Sequence, residues 1–252
     1  MLNYRAPNAV LLHDMKQYAI SDIHGCNKTF LALLDKIAFS KADTLYLLGD
    51  HIDRGVDSKG VLDTIFKLRA EGYAVHCLRG NHDQMLLDAL ETAEAQERWL
   101  KYGGKEALQS FGCKYPGAIP SLYLEFMAQL DFVFEVGPYI LVHAGLNFQM
   151  PAPLQDTTSM LWIRKWYANI DYQWLGDRII VHGHTPMFGF ELEEQHRFLS
   201  VNRYLDIDCG CVYTDNSAMG MGRLCAFDMT NQSLTFQVNV DKTRPKAKKP
   251  TL

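Results

Sequence analysis

The sequence predicts a mixed α/β domain, and three observations predict it. The first third alternates strand-like and helix-like hydrophobic periods, polar clusters rich in Asp and His follow the strand-like runs, and the length suits one sizeable core. The 252 residues are 48% hydrophobic, with 25 Lys and Arg against 29 Asp and Glu, which excludes disorder and collagen-like repeats. No apolar run approaches the roughly 18 residues of a membrane-spanning helix. Lys242, Arg244, Lys246, Lys248 and Lys249 crowd the last twelve residues, so the body before them is more acidic than the whole chain. An acidic body does not suit general binding of nucleic-acid phosphates.

Tyr18-Ala19-Ile20 reads as a short buried strand, and Phe30, Leu33, Leu34 and Ile37 then take the i, i+3, i+4, i+7 spacing of an amphipathic helix. Thr44 to Leu48 is a second strand. Ser58 to Arg69 is a second helix, with Val61, Leu62, Ile65 and Phe66 turned inward, and Tyr73 to Leu78 is a third strand. This β-α-β-α-β alternation implies parallel strands with helices packed on the sheet. From Gln84 to Leu130 the pattern is helical, with breaks at Gly103-Gly104 and from Cys113 to Pro120. Strand-like runs resume at Tyr139 to Val142, Arg178 to Val181, Leu205 to Ile207, Leu224 to Phe227 and Leu234 to Val240. Asn147 to Met160 and Thr185 to Arg203 read as long loops, a feature that usually serves function or motion. The expected organisation is one domain over residues 1–240 with a helical insert at about 84–131, followed by a basic, flexible tail at 241–252.

Six cysteines (Cys26, Cys77, Cys113, Cys209, Cys211 and Cys225) form no CxxC pair, which suits free thiols in a reducing compartment. The apolar run Ala9 to Leu12 is too short for a secretory leader, so cytoplasmic residence is the expectation.

The strand ends carry the chemistry. Asp22-Ile23-His24 follows the first strand, Gly49 to Gly55 the second and Arg79-Gly80-Asn81-His82-Asp83 the third. His143-Ala144-Gly145 and His182-Gly183-His184-Thr185 follow two later strands. Carboxyl ends of parallel strands border one crevice, so these clusters are expected to meet there. Carboxylate, imidazole and amide oxygen without thiolate suit Mn, Fe or Zn and argue against a closed structural zinc site. There are more ligands than one metal needs. If Asp50 bridges, two ions about 3.5 to 4 Å apart can clamp one oxygen between them, which points to hydrolysis. Arg54, Arg79 and Arg164 lie in or near the clusters, and guanidinium forks match phosphate oxygens, so a phosphate ester is the expected substrate.

These residues closely resemble the PPP-type metal-dependent phosphoprotein phosphatases of the calcineurin-like metallophosphoesterase superfamily, especially bacterial and phage members. DxH appears as Asp22-Ile23-His24, GDxxDRG as Gly49 to Gly55, and RGNH(E/D) as Arg79 to Asp83. HAG appears as His143 to Gly145, GHTP as Gly183 to Pro186, Trp-x-Arg as Trp162-Ile163-Arg164, and a segment like IDxGC as Ile207 to Cys211. All stand in family order between about Tyr18 and Met229. The five fixed positions of GDxxDRG alone recur by chance in roughly one protein of this length in ten thousand.

The resemblance implies a β-sandwich flanked by helices, in α-β-β-α layers. It implies Asp22, His24 and Asp50 on a first divalent metal and Asp50, Asn81, His143 and His184 on a second, with Mn2+ first and Fe or Zn as alternatives. His82 would be the general acid, oriented by Asp53, with a hydroxide between the metals as nucleophile. Arg54 and Arg164 would hold phosphate oxygens, with Arg79 and Asn81 as further substrate contacts. The implied partner is a phosphorylated protein or peptide, carrying phosphoserine or phosphothreonine and also phosphotyrosine, with no nucleic acid and no membrane. A symmetrical dinucleoside tetraphosphate hydrolase on the same metals is the alternative, and a noncatalytic metal-binding scaffold is a third reading. Asp83 stands where many phosphatases of the family have Glu and matches relatives that cleave dinucleoside polyphosphates, whereas Asp53 tilts the reading back toward phosphoprotein. His51 and His182 read as packing beside the ligands, Cys209 and Cys211 as buried thiols, and Trp99, Trp166 and Trp174 as core or groove packing. Thr214 to Met219 lengthens the loop after Cys211.

Overall fold

In a computed structural model that describes residues 15–214 and 220–241, the alternating strands and helices form two stacked sheets between helical layers. The expected leader-free start, nearly all of the 214–219 loop and the basic residues after Asp241 lie outside the described residues. The chain begins β1 (Gln17–Ile20), α1 (Asn27–Lys36), β2 (Thr44–Leu47), α2 (Ser58–Ala70) and β3 (Ala74–Cys77). The helical insert follows as α3 (Asn81–Asp88), α4 (Ala93–Trp99), a π-helical turn (Leu100–Gly104), α5 (Lys105–Phe111) and α6 (Ser121–Ala128). Then come β4 (Val133–Val136), β5 (Tyr139–Val142), α7 (Thr157–Trp162), α8 (Tyr172–Leu175) and β6 (Ile179–His182). The last elements are α9 (Gly189–Arg197), α10 (Leu199–Asn202), β7 (Tyr204–Asp206), β8 (Arg223–Asp228) and β9 (Ser233–Val238).

One sheet has the order β3-β2-β1-β8-β9 and the other β4-β5-β6-β7. β1, β2 and β3 run parallel, as do β5, β6 and β7, while β8 runs antiparallel to β1. The period of two explains why both faces of these strands are apolar. Tyr18, Ile20, Leu45 and Leu47 pack outward beneath α1, α2 and the insert, whereas Ala19, Tyr46 and Leu48 pack inward against Leu141, Val181 and Leu205 of the second sheet. Ile140, Val142 and Ile180 face a third core with Met160, Trp166 and Leu175. This is the expected α-β-β-α layering.

Three differences from the expected elements have local causes. Thr185 to Arg203 is largely helical, because α9 is a polar helix whose buried residues are only Gly189 and Leu192 and so lacks a readable apolar stripe. Side chains hold it instead: Glu191 accepts from the Phe188 amide at 2.8 Å, and Gln195 accepts from the Asp206 amide at 3.0 Å. The Asn147 to Met160 loop ends in α7, capped by Asp156, which accepts from the Ser159 amide at 3.0 Å. β4 pairs antiparallel with β5 through a tight connection over Gly137, at φ +56°, a hairpin that the sequence reading passed over. Finally, Asp241 belongs to the folded body rather than the tail. Its carboxylate accepts from the Lys28 amide (3.2 Å), the Thr29 amide (2.9 Å) and the Thr29 hydroxyl (2.6 Å), satisfying the N-terminus of α1 in place of a capping side chain at Cys26.

Candidate active site

The parallel strands end together, and the backbone keeps their polar extensions in register. Beyond β1 and β2 the amides of Asp22, His24 and Gly25 donate to the carbonyls of Gly49, Asp50 and His51, and beyond β5 and β6 the Gly183 amide donates to the His143 carbonyl. The turns are tight. Among the described residues, six of the ten non-glycine residues with positive φ are Asp22, His24, Asp50, Asp53, Arg54 and His184, at 46° to 74°. Each costs about 1 to 2 kcal/mol in that region, so the surrounding bonds must over-determine it. Gly183 is required by close approach, since a Cβ there would stand 2.0 Å from Ser21 Oγ and 2.2 Å from Asp22 Oδ2.

Two groups of buried donor atoms result, His24 with Asp50 and His82, and Asp50 with His143 and His184, each with donor atoms within 4.8 Å of one another. Asp50 belongs to both. Its Oδ2 is 3.3 Å from His24 Nε2, its Oδ1 is 3.5 Å from His143 Nε2, and Asp22 Oδ1 is 3.9 Å from His24 Nε2. Asn81 Oδ1 lies 3.0 Å from His143 Nε2 and 2.8 Å from His184 Nδ1, which draws Asn81 into the second group. All six expected ligands therefore converge.

The donor set fits divalent cations. His143 Nδ1 donates to the Leu48 carbonyl at 2.9 Å, which orients its Nε2 toward the oxygens of Asn81 and Asp50. His184 Nε2 is buried without a partner. Burial, then repulsion from Asp22 and Asp83 against the pull of His143, lifts the Asp50 carboxyl to about 7. Burial and neighbouring carboxylates push Asp53 and Asp208 well above the usual range. Burial, reinforced by His143 and Arg164, holds His184 down at about 2, so imidazolium does not supply the missing positive charge. Buried oxygens crowded against neutral imidazoles are a metal-binding environment.

His82 and Asp53 form the pair expected of an oriented acid. His82 Nδ1 is 2.8 Å from Asp53 Oδ2, and the His82 amide donates to Asp50 Oδ1 at 2.9 Å. Burial and the facing Arg54 guanidinium lower the imidazole to about 2. The other partner of Asp53 was not expected: the indole N–H of Trp99 donates to both carboxylate oxygens, at 3.0 and 2.9 Å. The insert thus builds the site as well as the core. It does so again at Gly103, where φ is +127° and a Cβ would come within 2.7 Å of the Arg54 nitrogen, whose N–H donates to the Gly103 carbonyl at 3.2 Å. Asp83 ties the loops together, accepting from the amides of Asp50 (3.0 Å), His51 (3.2 Å) and Gly80 (2.9 Å), with His51 Nδ1 at 2.8 Å.

The arginines divide. Arg54 Nη1 donates to His24 Nε2 at 2.8 Å and its guanidinium lies over the Tyr213 ring, so it stands at the cluster. Arg164 is exposed and donates to Thr185 Oγ1 at 3.0 Å, one residue from His184. Arg79 corrects the expected substrate contact, because its forks donate to Gln84 Oε1 (2.8 Å) and the Ala128 carbonyl (2.7 Å) while its face covers Phe132. It braces α3 against α6. Ser21, which donates to Asp22, and the buried Asp208, close enough to Asp22, Arg54 and Asp50 for mutual charge effects, also join the site. Only the IDxGC segment signalled Asp208, and no local pattern signalled Trp99. Cys209 and Cys211 are buried free thiols, as read.

The sequence pattern of the family described as calcineurin-like phosphoesterase matches residues 15–211. The chain is 35% identical over 133 residues to the symmetrical bis(5'-nucleosyl)-tetraphosphatase of Nitrosomonas europaea, covering 52% of this chain and 45% of that protein. It is 29% identical to serine/threonine-protein phosphatase 1 of Salmonella typhimurium, covering 68% of this chain and 78% of that protein. Among solved structures, a candidate diadenosine tetraphosphatase aligns over 92% of this chain and 95% of its own, with TM-score 0.60 and 20% identity, a likeness of fold. The chain spans less than half the length of the symmetrical tetraphosphatases it matches, 27% to 46%. These matches overturn the expected phosphoprotein partner, since relatives 34% to 42% identical are named as symmetrical bis(5'-nucleosyl)-tetraphosphatases. Among the described residues no helix is long and apolar enough to cross a membrane.

Proposed function

The chain belongs to the calcineurin-like phosphoesterase family, and on that premise we propose that it is a two-metal hydrolase of dinucleoside tetraphosphates, cutting them symmetrically into nucleoside diphosphates. The carrying observation is that Asp50 is shared by two buried donor groups, which favours a dinuclear over a mononuclear centre. The substrate class rests on the symmetrical tetraphosphatases among the relatives.

Asp22, His24 and Asp50 hold one cation, and Asp50, Asn81, His143 and His184 hold the second. Manganese is the first choice, with iron and zinc suiting the same donors. Such ions, when bound, supply Lewis acidity and lower the pKa of water. Arg54 and Arg164 take the nonbridging phosphate oxygens, because guanidinium forks match phosphate geometry. Asp53, itself held by the Trp99 indole, fixes the His82 ring beside His24, and once phosphate oxygens offset the Arg54 charge that, after burial, lowers the imidazole, His82 takes up the proton it passes to the departing oxygen. A departing nucleoside diphosphate is a weaker base than an alkoxide, so the anhydride leans on that proton less than a serine phosphate does.

The test is product analysis. Purified protein with manganese, given diadenosine tetraphosphate, yields ADP alone; AMP with ATP would mean asymmetrical cleavage. Hydrolysis of nitrophenyl phosphate with none of the dinucleotide sinks the substrate reading. Bound metal with no turnover of either would return the chain to the scaffold reading.

A further inference from the structure

Two large aromatic side chains stand exposed beside the metal-ligand cluster, and they flank different members of it. Trp162, at the end of α7, is 41% exposed, and its ring centroid lies 6.3 Å from that of His184 at an interplanar angle of 87°. Two residues on, Arg164 bonds Thr185, the neighbour of His184. Tyr213 is 38% exposed, and its ring lies 5.8 Å from the guanidinium carbon of Arg54, which itself bonds His24. Each ring therefore accompanies one phosphate-binding arginine and one histidine, His184 from the second donor group and His24 from the first. Single exposed aromatics are common and mean little alone. Here they recur on both flanks of one centre, where Trp99 and Trp166 are fully sequestered.

A phosphate chain has no use for apolar rings, whereas nucleobases do. Building on the function proposed above, we propose that Trp162 and Tyr213 are the stacking surfaces for the two nucleobases of a dinucleoside polyphosphate, one for each half of the molecule. Symmetrical cleavage leaves a nucleoside diphosphate on either side of the scissile bond, so one ring on each flank suits a substrate with a base at each end. Stacking on a π-face tolerates any base, so diguanosine and diadenosine tetraphosphates are accepted alike. Arg54 steadies the Tyr213 ring by a cation–π contact, and Arg164 lies on the same side as Trp162.

The experiment measures KM for diadenosine tetraphosphate and the inhibition constants of ADP and pyrophosphate, which share a diphosphate but differ in the nucleoside. The wild type and the variants Trp162→Ala, Tyr213→Ala, Trp162→Phe and Tyr213→Phe are compared. In each alanine variant the preference for ADP over pyrophosphate falls about tenfold and KM rises in parallel, while the phenylalanine variants keep most of both. A ring that merely props up Arg54 or His184 would weaken ADP and pyrophosphate equally, leaving the preference untouched. That result, or a wild type that binds ADP no better than pyrophosphate, overturns the inference while symmetrical hydrolysis stands. A wild type unable to cleave the dinucleotide removes the function and this inference with it.

Discussion

The loops that follow the first sheet and those that follow the second build one site, yet they are held very differently. On the first side Asp83 gathers three backbone amides and the His51 ring, Asp53 is fixed by His82 and Trp99, and His24 Nδ1 is 2.8 Å from the Ile52 carbonyl. Every one of these polar side chains is buried. On the second side Arg164 is exposed and donates to Thr185 Oγ1, and Trp162 beside His184 is exposed as well. The difference is one of burial and bonding. On the function proposed above, the over-determined geometry would hold Asp50 and His82 fixed, and the exposed side would be where a substrate enters and leaves.

The sharpest way to break this comparison is Asp50→Ala, because Asp50 belongs to both sides. Turnover drops about a thousandfold or more, and elemental analysis finds at most one tightly held metal per chain. Activity within tenfold of wild type would mean that the two sides are independent. Chelation of the wild type produces the same loss, and added manganese reverses it. His82→Asn comes next: about a hundredfold or more off kcat for an alkyl phosphate, and about tenfold or less for diadenosine tetraphosphate, read from parallel kinetics. Equal losses would remove the proton-donor role.

Stability separates the sides further. Asp83→Ala strands His51 in the interior and lowers unfolding free energy by about 3 to 5 kcal/mol in denaturant titration. Trp99→Phe removes the indole donor from buried Asp53 and costs about 1 to 3 kcal/mol, with a fall in turnover that no core-packing role would produce. Arg164→Ala shifts stability by less than about 0.5 kcal/mol while raising KM for the dinucleotide. If Asp83→Ala and Arg164→Ala destabilise alike, the contrast is gone.

Much of the first sheet was legible, since β1, β2, β3, α1 and α2 carry undiluted hydrophobic periods and each strand runs straight into its polar cluster. The convergence of Asp22, His24, Asp50, Asn81, His143 and His184 was legible for the same reason. What escaped was held by side-chain bonds rather than by periodicity, as in α9, or by contacts across long sequence separations, as between Trp99 and Asp53, 46 residues apart. Arg79 sits inside a signature and still turns away, because Gln84 and the Ala128 carbonyl compete for its forks. Asp53 had tilted the reading toward a phosphoprotein, but its bonds to His82 and Trp99 serve any leaving group and do not discriminate between substrates.

β1 lies between β2 and β8, and α1 is capped by Asp241. During biosynthesis β1 therefore waits with one open edge until residues near Asp228 have emerged, and α1 waits longer still for the Asp241 carboxylate. A chain interrupted before Asp228 leaves that edge of β1 unpaired and ready to pair with another strand, and one interrupted before Asp241 leaves the first-turn amides of α1 without their acceptor.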